Sequence, residues 1–538
     1  QNNGYDVADG WNTVQGSGNK SVGWSFRKAP RFFDIVTYTG TGSNRTISHS
    51  LDCEPGMIII KTRSGTSNWV VYHKFTNGGT NAAQYFLKFN STAGQASSAS
   101  VFNNTAPTSS VFSVGTHNDT NQSGETYVAY LFAHNSSDGG FGENEDQDII
   151  KVGQYDGNGS GSGPDVNIGF EPQYVIIKRA DTSGESWYIL DTLRGFPAYH
   201  GVSTHNLADI VANATAAEDA YQGSNGVQVG ITQQGFNIHT NITSWNASGG
   251  NYIYMAIRKG PINVPTDATK VFALGDQYAT SNFPVDSMWS AYKDGYTNNT
   301  LVYDRLRDCD DGDHSLISST PAPENSSKVD RNWGSGWNHK MFRRAPGFFD
   351  MVAYVGSGSS RDLKHNLNAV PQLYIIKSRD ESRNWITYAD IGGTYKEANI
   401  DGTGAFGTAS SIGGDPTSSV LKLGTTYNEN RSGYYYIAYL WTTCAGVSKV
   451  GTYTGNGSSQ TIDCGFTSSA RFVLVKKVNG TSPWLSFDTN SGIVSGNDTA
   501  LFWDRNAAKD NGADYLDPNS SGFTINQAYS ATDQFNPN

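Results

Sequence analysis

The sequence predicts an all-β protein built from several β-sandwich domains in tandem. A spaced residue pattern occurs four times along the 538 residues, and such self-similarity marks a repeated structural unit. The apolar segments are short and lie between clusters of Gly, Asn, Ser and Asp, as expected for many strands joined by turns. No convincing amphipathic helix is longer than two turns; residues 207–217 come closest, but Asn213 and Thr215 weaken that pattern.

The repeated pattern is a Tyr-x-Gly-x-Gly turn, then a Lys that closes an apolar run, then a Trp. The Lys follows the Tyr by 23 residues in all four copies, and the Trp follows the Lys by 8, 9, 8 and 8 residues. This constant spacing predicts that turn, strand end and indole form one rigid unit that superposes between copies. The repeat positions are Tyr38, Tyr155, Tyr354 and Tyr453; Lys61, Lys178, Lys377 and Lys476; Trp69, Trp187, Trp385 and Trp484.

Longer similarities divide the copies into two alternating sub-types. Residues 31–36 resemble residues 347–352, and Pro107-Thr-Ser-Ser-Val recurs from Pro416. The second and fourth copies share Gly235-Phe-Asn-Ile and Gly522-Phe-Thr-Ile instead. Units of about 100 residues are too long for a solenoid and fit independent β-sandwiches.

Module boundaries are predicted where closing strands run into Arg-Lys-Ala-Pro or a similar sequence, because Pro cannot donate to a ladder. Module 3 is divergent: its Asp304-Arg-Leu-Arg matches Asp191-Thr-Leu-Arg, but the tyrosine turn is missing. The predicted units are residues 1–30, a terminal fragment carrying a module-closing strand; 31–142, module 1; 143–261, module 2; 262–346, module 3; 347–444, module 4; and 445–538, module 5, which stops before its last strand.

The apolar runs that precede the lysines do not alternate with polar residues, which predicts strands covered on both faces. Two explanations stay open: a central strand beneath a packed loop, or burial against a second subunit. The runs are residues 57–60, 174–177, 373–376 and 472–475.

Composition excludes several classes of partner. A net charge of −11 and a pI near 5.4 argue against a nucleic-acid-binding surface, which needs clustered Lys and Arg. No apolar stretch reaches the 18 to 20 residues of a membrane span. The chain starts with Gln rather than Met and shows no signal peptide, so we expect a processed chain or part of something longer.

Candidate chemistry is sparse, and the sequence predicts a protein that is not an enzyme and uses no cofactor. The loop Asp308–Asp313 could hold Ca²⁺ through carboxylates, although a solvated acidic loop explains it as well. We expect no transition-metal site and no buried carboxylate pair at glycosidase separation. Cys444 and Cys464 flank a predicted strand-turn-strand and could form a local disulfide, whereas Cys53 and Cys309 read as reduced, buried residues.

Several stretches resemble the repeat modules of marine bacteriophage tail proteins, a family of domains of unknown function common in cyanophage tail-fibre and tail-appendage genes. The stretches are residues 33–43, 131–134, 438–441 and 445–466. The resemblance implies a tandem array of lectin-like or jelly-roll β-sandwiches in the virion tail, with a shaft or host-contact role. It also implies self-association, commonly as a homotrimer, and contact with other tail or virion proteins, but it assigns no catalytic or sugar-binding residue.

Two other functions stay open at this point. In a carbohydrate-binding array the repeated Trp would be exposed to stack on sugars of host-surface glycans, whereas a core Trp would be buried. A secreted filament or adhesin would use the same modules. Residues 20–30 look like a closing strand without a module before it, so they could complete module 5 of another copy in a head-to-tail polymer, unless the chain is a cut from a longer repeat protein.

Overall fold

The computed structural model describes residues 21–201, 208–215, 219–220, 229–276, 281–292, 299–307, 315–324 and 336–526. It confirms the predicted fold class: antiparallel sheets dominate, and the α-helices within these ranges are single turns of four residues. None of the helices in this part of the chain is long and apolar enough to cross a membrane. The module names used below follow the predicted boundaries.

Module 1 contains a large sheet and a small one. Its strands are β1 (Phe33–Thr39), β2 (Arg45–Ser48), β3 (Pro55–Thr62), β4 (Val70–His73), β5 (Tyr85–Lys88), β6 (Ala96–Ser97), β7 (Val111–Val114) and β8 (Thr126–Ala133). The large sheet has the order β1-β8-β3-β4-β5-β6, and β2 pairs with β7. Short helices are α1 (Ala99–Phe102), α2 (Asn118–Asn121) and the 3₁₀ turns Thr76–Gly79 and Ala82–Gln84.

Module 2 repeats this plan with a three-stranded small sheet. Its elements are β9 (Ile150–Asp156), β10 (Asp165–Asn167), β11 (Pro172–Arg179), β12 (Trp187–Asp191), β13 (Ala208–Val211), β14 (Asp219–Ala220), β15 (Val229–Thr232), β16 (Gly235–Ile238), α3 (Thr243–Asn246) and β17 (Asn251–Arg258). The large sheet runs β14-β13-β12-β11-β17-β9 and the small sheet runs β10-β16-β15.

Module 3 shows one five-stranded sheet among its described residues. Its strands are β18 (Phe272–Gly275), β19 (Ser287–Tyr292), β20 (Leu301–Asp304), β21 (Leu316–Ile317) and β22 (Trp337–Phe342), with 3₁₀ turns at Ala268–Lys270 and Arg305–Arg307. The order β18-β22-β19-β20-β21 places the last strand in the same position as in modules 1 and 2.

Module 4 has the strand order of module 1, and module 5 has the small sheet of module 2. Module 4 comprises β23 (Phe349–Val355), β24 (Arg361–Lys364), β25 (Leu373–Ser378), β26 (Ile386–Asp390), β27 (Tyr395–Asn399), β28 (Gly407–Thr408), β29 (Val420–Leu423), α4 (Tyr427–Asn430) and β30 (Tyr435–Trp441). Module 5 comprises β31 (Gln460–Asp463), β32 (Phe472–Val475), β33 (Leu485–Asp488), β34 (Leu501–Phe502), β35 (Leu516–Asn519) and β36 (Gly522–Ile525). The sheets are β23-β30-β25-β26-β27-β28 and β24-β29 in module 4, and β31-β36-β35 and β32-β33-β34 in module 5.

In modules 1 to 4 the closing strand lies between the first strand and a third strand of the large sheet. That third strand carries the repeat lysine in modules 1, 2 and 4. The closing strands are β8, β17, β22 and β30, each of which pairs on both edges. In module 5, by contrast, β32 pairs only with β33 among the described residues. Residues 449–454, where a first strand is expected, form no strand.

The central strands β3, β11 and β25 are buried on both faces because sheets of neighbouring modules pack together. Residues 21–30 with modules 1 and 2 form a first group around one apolar core, and modules 3, 4 and 5 form a second group around another. The second core is aromatic: Trp289 of module 3 lies 5.9 Å from Trp385 of module 4 and 4.6 Å from Trp503 of module 5. Both explanations offered for the non-alternating strands, a packed loop and a second subunit, therefore miss the main cause, which is the neighbouring module of the same chain.

The Tyr-x-Gly-x-Gly turn is held by a buried asparagine that precedes the closing strand. In module 4, Asn430 accepts from Ser357 N–H at 2.8 Å and donates to the carbonyls of Ser359 and Gly424 at 2.7 Å. Asn121 and Asn246 make the same set of contacts in modules 1 and 2. Such buried amides stabilise the turn because each of their donors and acceptors has a hydrogen-bond partner.

The two glycines of this turn are required for different reasons, close approach of the backbone at the first and a left-handed conformation at the second. A Cβ on Gly356 would lie in hard contact with the carbonyl oxygen of Arg431, and the same holds for Gly40 and Gly157 against their own partners. The second glycine is left-handed, with φ of 72° at Gly358 and 68° at Gly457, a conformation that glycine adopts without cost.

We expect Gly356→Ala to lower the free energy of unfolding by about 2–4 kcal/mol, because the added methyl group forces the turn away from the Asn430 loop. Urea unfolding followed by tryptophan fluorescence measures this change. Gly404→Ala is the matched control, since nothing lies within 4 Å of a Cβ at that position. Equal stabilities of the two variants would contradict the proposed close approach.

Candidate functional site at the junctions between modules

The repeat lysine and tryptophan attach each module to the edge of the preceding one. The indole Nε1–H of Trp187 donates to the carbonyl of Lys88 in module 1 at 3.0 Å. Trp385 donates to Ile317 in module 3, and Trp484 to Asn399 in module 4, both also at 3.0 Å. These acceptors are the last residues of β5, β21 and β27, and each also accepts from the N–H three residues later, so the indole binds the carbonyl at which the strand passes into a turn.

The lysine ammonium binds the turn that follows the same strand. Lys377 Nζ donates to Pro321 O at 3.1 Å and Lys476 Nζ to Thr403 O at 2.8 Å, while Lys178 Nζ lies 3.5 Å from Thr92 O. Each acceptor stands four residues after the carbonyl that receives the indole. Lysine and tryptophan therefore hold the two ends of one turn in the preceding module.

Burial of the ammonium groups changes their titration. Desolvation lowers the pKa of Lys377 from 10.5 to about 7, and the pKa of Lys178 and Lys476 to about 8. The carboxyl of Asp401, which is itself buried, has its pKa raised to about 6. Main-chain carbonyls take the place of water around these lysines, so the junction is a polar contact inside an apolar interface.

Module 1 shows what the pair looks like without a preceding module among the described residues. Lys61 Nζ donates to Ser67 O of its own module at 2.7 Å. Trp69 is only partly buried and stacks on Tyr130 with ring centroids 6.3 Å apart. Three of the four repeat tryptophans, Trp187, Trp385 and Trp484, are buried at the junctions.

A buried charge cluster joins the first group to the second. Arg344 forms a bidentate pair with Glu171 of module 2, including a 2.7 Å bond to Oε2, and bonds Asp350 of module 4 at 2.6 Å. Lys259 pairs with Asp286 at 2.9 Å beside it. Burial opposes ionisation of Asp286, but Lys259 and Arg344 outweigh that cost and hold its pKa below the usual value.

The second group is closed by contacts between its first and last members. Asn338 Nδ2 of module 3 donates to both carboxylate oxygens of Asp488 in module 5 at 2.8 Å, and Lys340 Nζ lies 3.2 Å from the same group. Ser318 Oγ donates to Trp503 O at 2.8 Å. Modules 3, 4 and 5 therefore each contact the other two.

The remaining sequence-based candidates fall outside these junctions. The predicted disulfide is wrong: Cys444 and Cys464 are free thiols, because residues 449–454 form no strand that would bring them together. Cys444 Sγ instead donates to Pro265 O at 3.3 Å. Cys53 is a free thiol and partly buried, while Cys309 and the acidic loop Asp308–Asp313 lie outside the described residues.

A cleft beside the charge cluster is too small for a sugar. Residues of modules 2, 3 and 4 line it, among them Arg258, Lys259, Arg344 and Asn368. Its volume is about 40 Å³, which accommodates roughly three or four waters. Within the described ranges, no three His, Cys, Asp or Glu side chains are arranged to hold a metal ion.

Sequence reasoning missed the clamping asparagines, although a signal was present. Asn121, Asn246 and Asn430 each precede a closing-strand tyrosine by six residues. Those tyrosines, Tyr127, Tyr252 and Tyr436, stack on the turn tyrosines with centroids 4.8–5.3 Å apart. The spacing was as regular as that of the lysines, and all three asparagines are fully buried.

Comparison with known families shows which family contains this chain. The family described as "Domain of unknown function (DUF7483)" matches residues 1–261 and 344–535. The chain belongs to this family. The interruption in the match coincides with module 3, which lacks the tyrosine turn, and each matched segment includes one pair of alternating modules. No curated protein matches the chain.

We expect Trp385→Phe to lower the free energy of unfolding of the second group by about 2–3 kcal/mol. The substitution removes the donor to Ile317 and Thr320 and leaves a gap in the aromatic core. Hydrogen exchange should rise at β21. Trp69→Phe is the control, and a change there above about 1 kcal/mol would contradict the junction role of the pair.

Lys377 generates a pH dependence with a defined sign. Its folded-state pKa of about 7 lies below the ordinary lysine pKa of 10.5, which applies to the unfolded chain. Between these pH values the unfolded chain therefore binds the proton and the folded chain does not. The free energy of unfolding therefore rises with pH across this window. Lys377→Met should reduce that rise, measured by urea unfolding at pH 7 and about pH 9.5, while Lys178 and Lys476 with pKa values of about 8 account for the part that remains.

Lys61→Met controls for the loss of a lysine that contacts only its own module. Identical pH profiles of wild-type and Lys377→Met protein would show that burial of this ammonium does not govern the titration.

Proposed function

We propose that the chain is a structural, non-enzymatic component of a phage tail fibre or tail appendage. In this role the modules form a stiff shaft that projects towards the host surface and associates with itself and with other tail proteins. The resemblance of residues 33–43 and 445–466 to tail-protein modules supplies the location. The junctions supply the physical argument for a shaft.

The observation that carries the structural role is the use of the repeated residues. In three of the four copies the repeated side chains join modules, since Trp187, Trp385 and Trp484 are buried against main-chain carbonyls of the neighbour. A binding array would instead need such residues at the surface. Buried junctions also resist relative motion of domains, which small polar interfaces do not.

Localisation on intact particles tests the proposal. Gold-labelled antibodies raised against the chain should decorate fibres or appendages of the phage whose genome encodes it, and mass spectrometry of purified particles should recover the peptides. Labelling of cell-surface filaments with no signal on particles would favour the secreted filament or adhesin instead. Release of reducing sugar from host polysaccharide by the purified chain would contradict a non-enzymatic role.

A second candidate function, glycan binding, is favoured by one surface feature of module 4. Tyr427 is 61% exposed, and the guanidinium of Arg431 lies between it and Tyr434, 5.3 Å and 4.1 Å from the two ring centroids. Glu381 pairs with both Arg431 and Arg383 beside the exposed ring. An open aromatic face next to fixed charged groups suits a sugar ring and its hydroxyls.

A further inference from the structure

Residues 22–28 have the form of a β-strand that pairs with nothing among the described residues. Val22, Trp24 and Phe26 are partly buried, while Gly23, Ser25 and Arg27 are exposed. This alternation is that of a strand with one covered face. The segment lies on modules 1 and 2: the Phe26 ring is 5.5 Å from that of Phe33, and Trp24 Nε1–H donates to Asp191 at 3.1 Å.

The end of this segment matches the boundary between modules 3 and 4. Ala29 exchanges backbone hydrogen bonds with Phe33 as Ala345 does with Phe349. Lys28 pairs with Asp34 at 2.6 Å, as Arg344 pairs with Asp350 at 2.6 Å.

The aromatic contacts match as well. Phe26 packs on Phe32, Phe33 and Phe132, and Phe342 packs correspondingly on Phe348, Phe349 and Trp441. Trp24 bonds Asp191 of module 2 at the place where Lys340 lies beside Asp488 of module 5. Residues 22–30 therefore make the same contacts with modules 1 and 2 that β22 and the boundary residues after it make with modules 4 and 5.

The sheet face beside this segment is apolar and open. Ile35 is 40% exposed, whereas its counterpart Met351 is 0% exposed. Trp69 and Tyr130 are partly buried, but their counterparts Trp385 and Tyr439 are fully buried. In the second group the covering residue is Trp289 of module 3, whose ring lies 5.4 Å from Tyr439.

We infer that this face of module 1 docks a β-sheet module of the module 3 kind, additional to the modules described above, that uses residues 22–28 as its closing strand. The partner's first strand and its next strand would pair with the two edges of the segment by β-augmentation. Its outer edge strand would present carbonyls to Trp69 Nε1–H and Lys61 Nζ. A bulky apolar residue at the position of Trp289 would cover Ile35 and Tyr130.

Module 5 of a second copy fits this site less well, although one edge of β32 has no strand partner among the described residues. Phe472 and Leu474 on β32 already face the core of the second group. A strand added there would turn Trp24 and Phe26 towards that core and away from Asp191 and Phe33. The contacts that residues 22–30 make in this structure would be lost.

The inference rests on the proposed structural role and says how the shaft continues from module 1. Its test is independent of where the chain is found, because it measures only whether the face can be covered. A chain in which residues 262–336 precede residues 21–538 places a second module 3 sheet, without β22, directly before the segment. Ile35→Cys in a background with the natural cysteines changed to serine reports exposure by its rate of maleimide labelling.

In the unextended chain we expect Ile35→Cys to label at least about tenfold faster than the matched control Met351→Cys. In the extended chain the Ile35→Cys rate should fall to that of the control, and the melting temperature should rise. Ser25→Pro should restore fast labelling in the extended chain only, because proline removes a ladder donor from the segment.

Three outcomes would overturn the inference. One is fast labelling of Ile35→Cys in the extended chain. Another is an added module that stays unfolded, since it lacks only the strand that residues 22–28 are inferred to supply. The third is protection that grows with concentration of the unextended chain, which would assign the face to a second copy.

Discussion

The architecture depends on hydrogen bonds from one module to the main chain at the edge of the one before it. Carbonyls at a strand end must find donors when they are buried, and a neighbouring sheet packed face to face cannot supply them. The indole and ammonium of the repeat do so at Lys88, Ile317 and Asn399 and at the turns that follow. Large apolar sheets of neighbouring modules therefore stack with main-chain carbonyls of one module bonded to side chains of the next.

Within each module a second polar device fixes the turn that precedes the repeat. Asn430 and its counterparts join the glycine turn to the residues before the closing strand, so the first and last strands are held in register from both ends. Closing tyrosines such as Tyr436 stack on the turn tyrosines directly below. In module 5, Tyr453 is only partly buried, whereas Tyr155 and Tyr354 are buried.

Much of this could be predicted from sequence because it is local. In modules 1, 2 and 4 the constant interval between Tyr and Lys runs from the first strand through one strand of the small sheet to the strand that carries the lysine, and the alternation of two sub-types corresponds to two- and three-stranded small sheets. The stacking of modules could not be predicted, since a buried Ile375 reads the same beneath a loop, a subunit or another module. The disulfide between Cys444 and Cys464 was wrongly predicted because proximity in sequence does not fix the path of residues 449–454.

The identity of the residues whose carbonyls accept these hydrogen bonds has an evolutionary consequence. A lysine, an isoleucine and an asparagine receive the indole, and Thr92, Pro321 and Thr403 receive the ammonium. Because recognition is directed at peptide carbonyls, an upstream module needs a strand end and a turn of the right shape but no particular side chain there. Gene segments that encode single modules can therefore be duplicated or exchanged without compensating mutations at this contact.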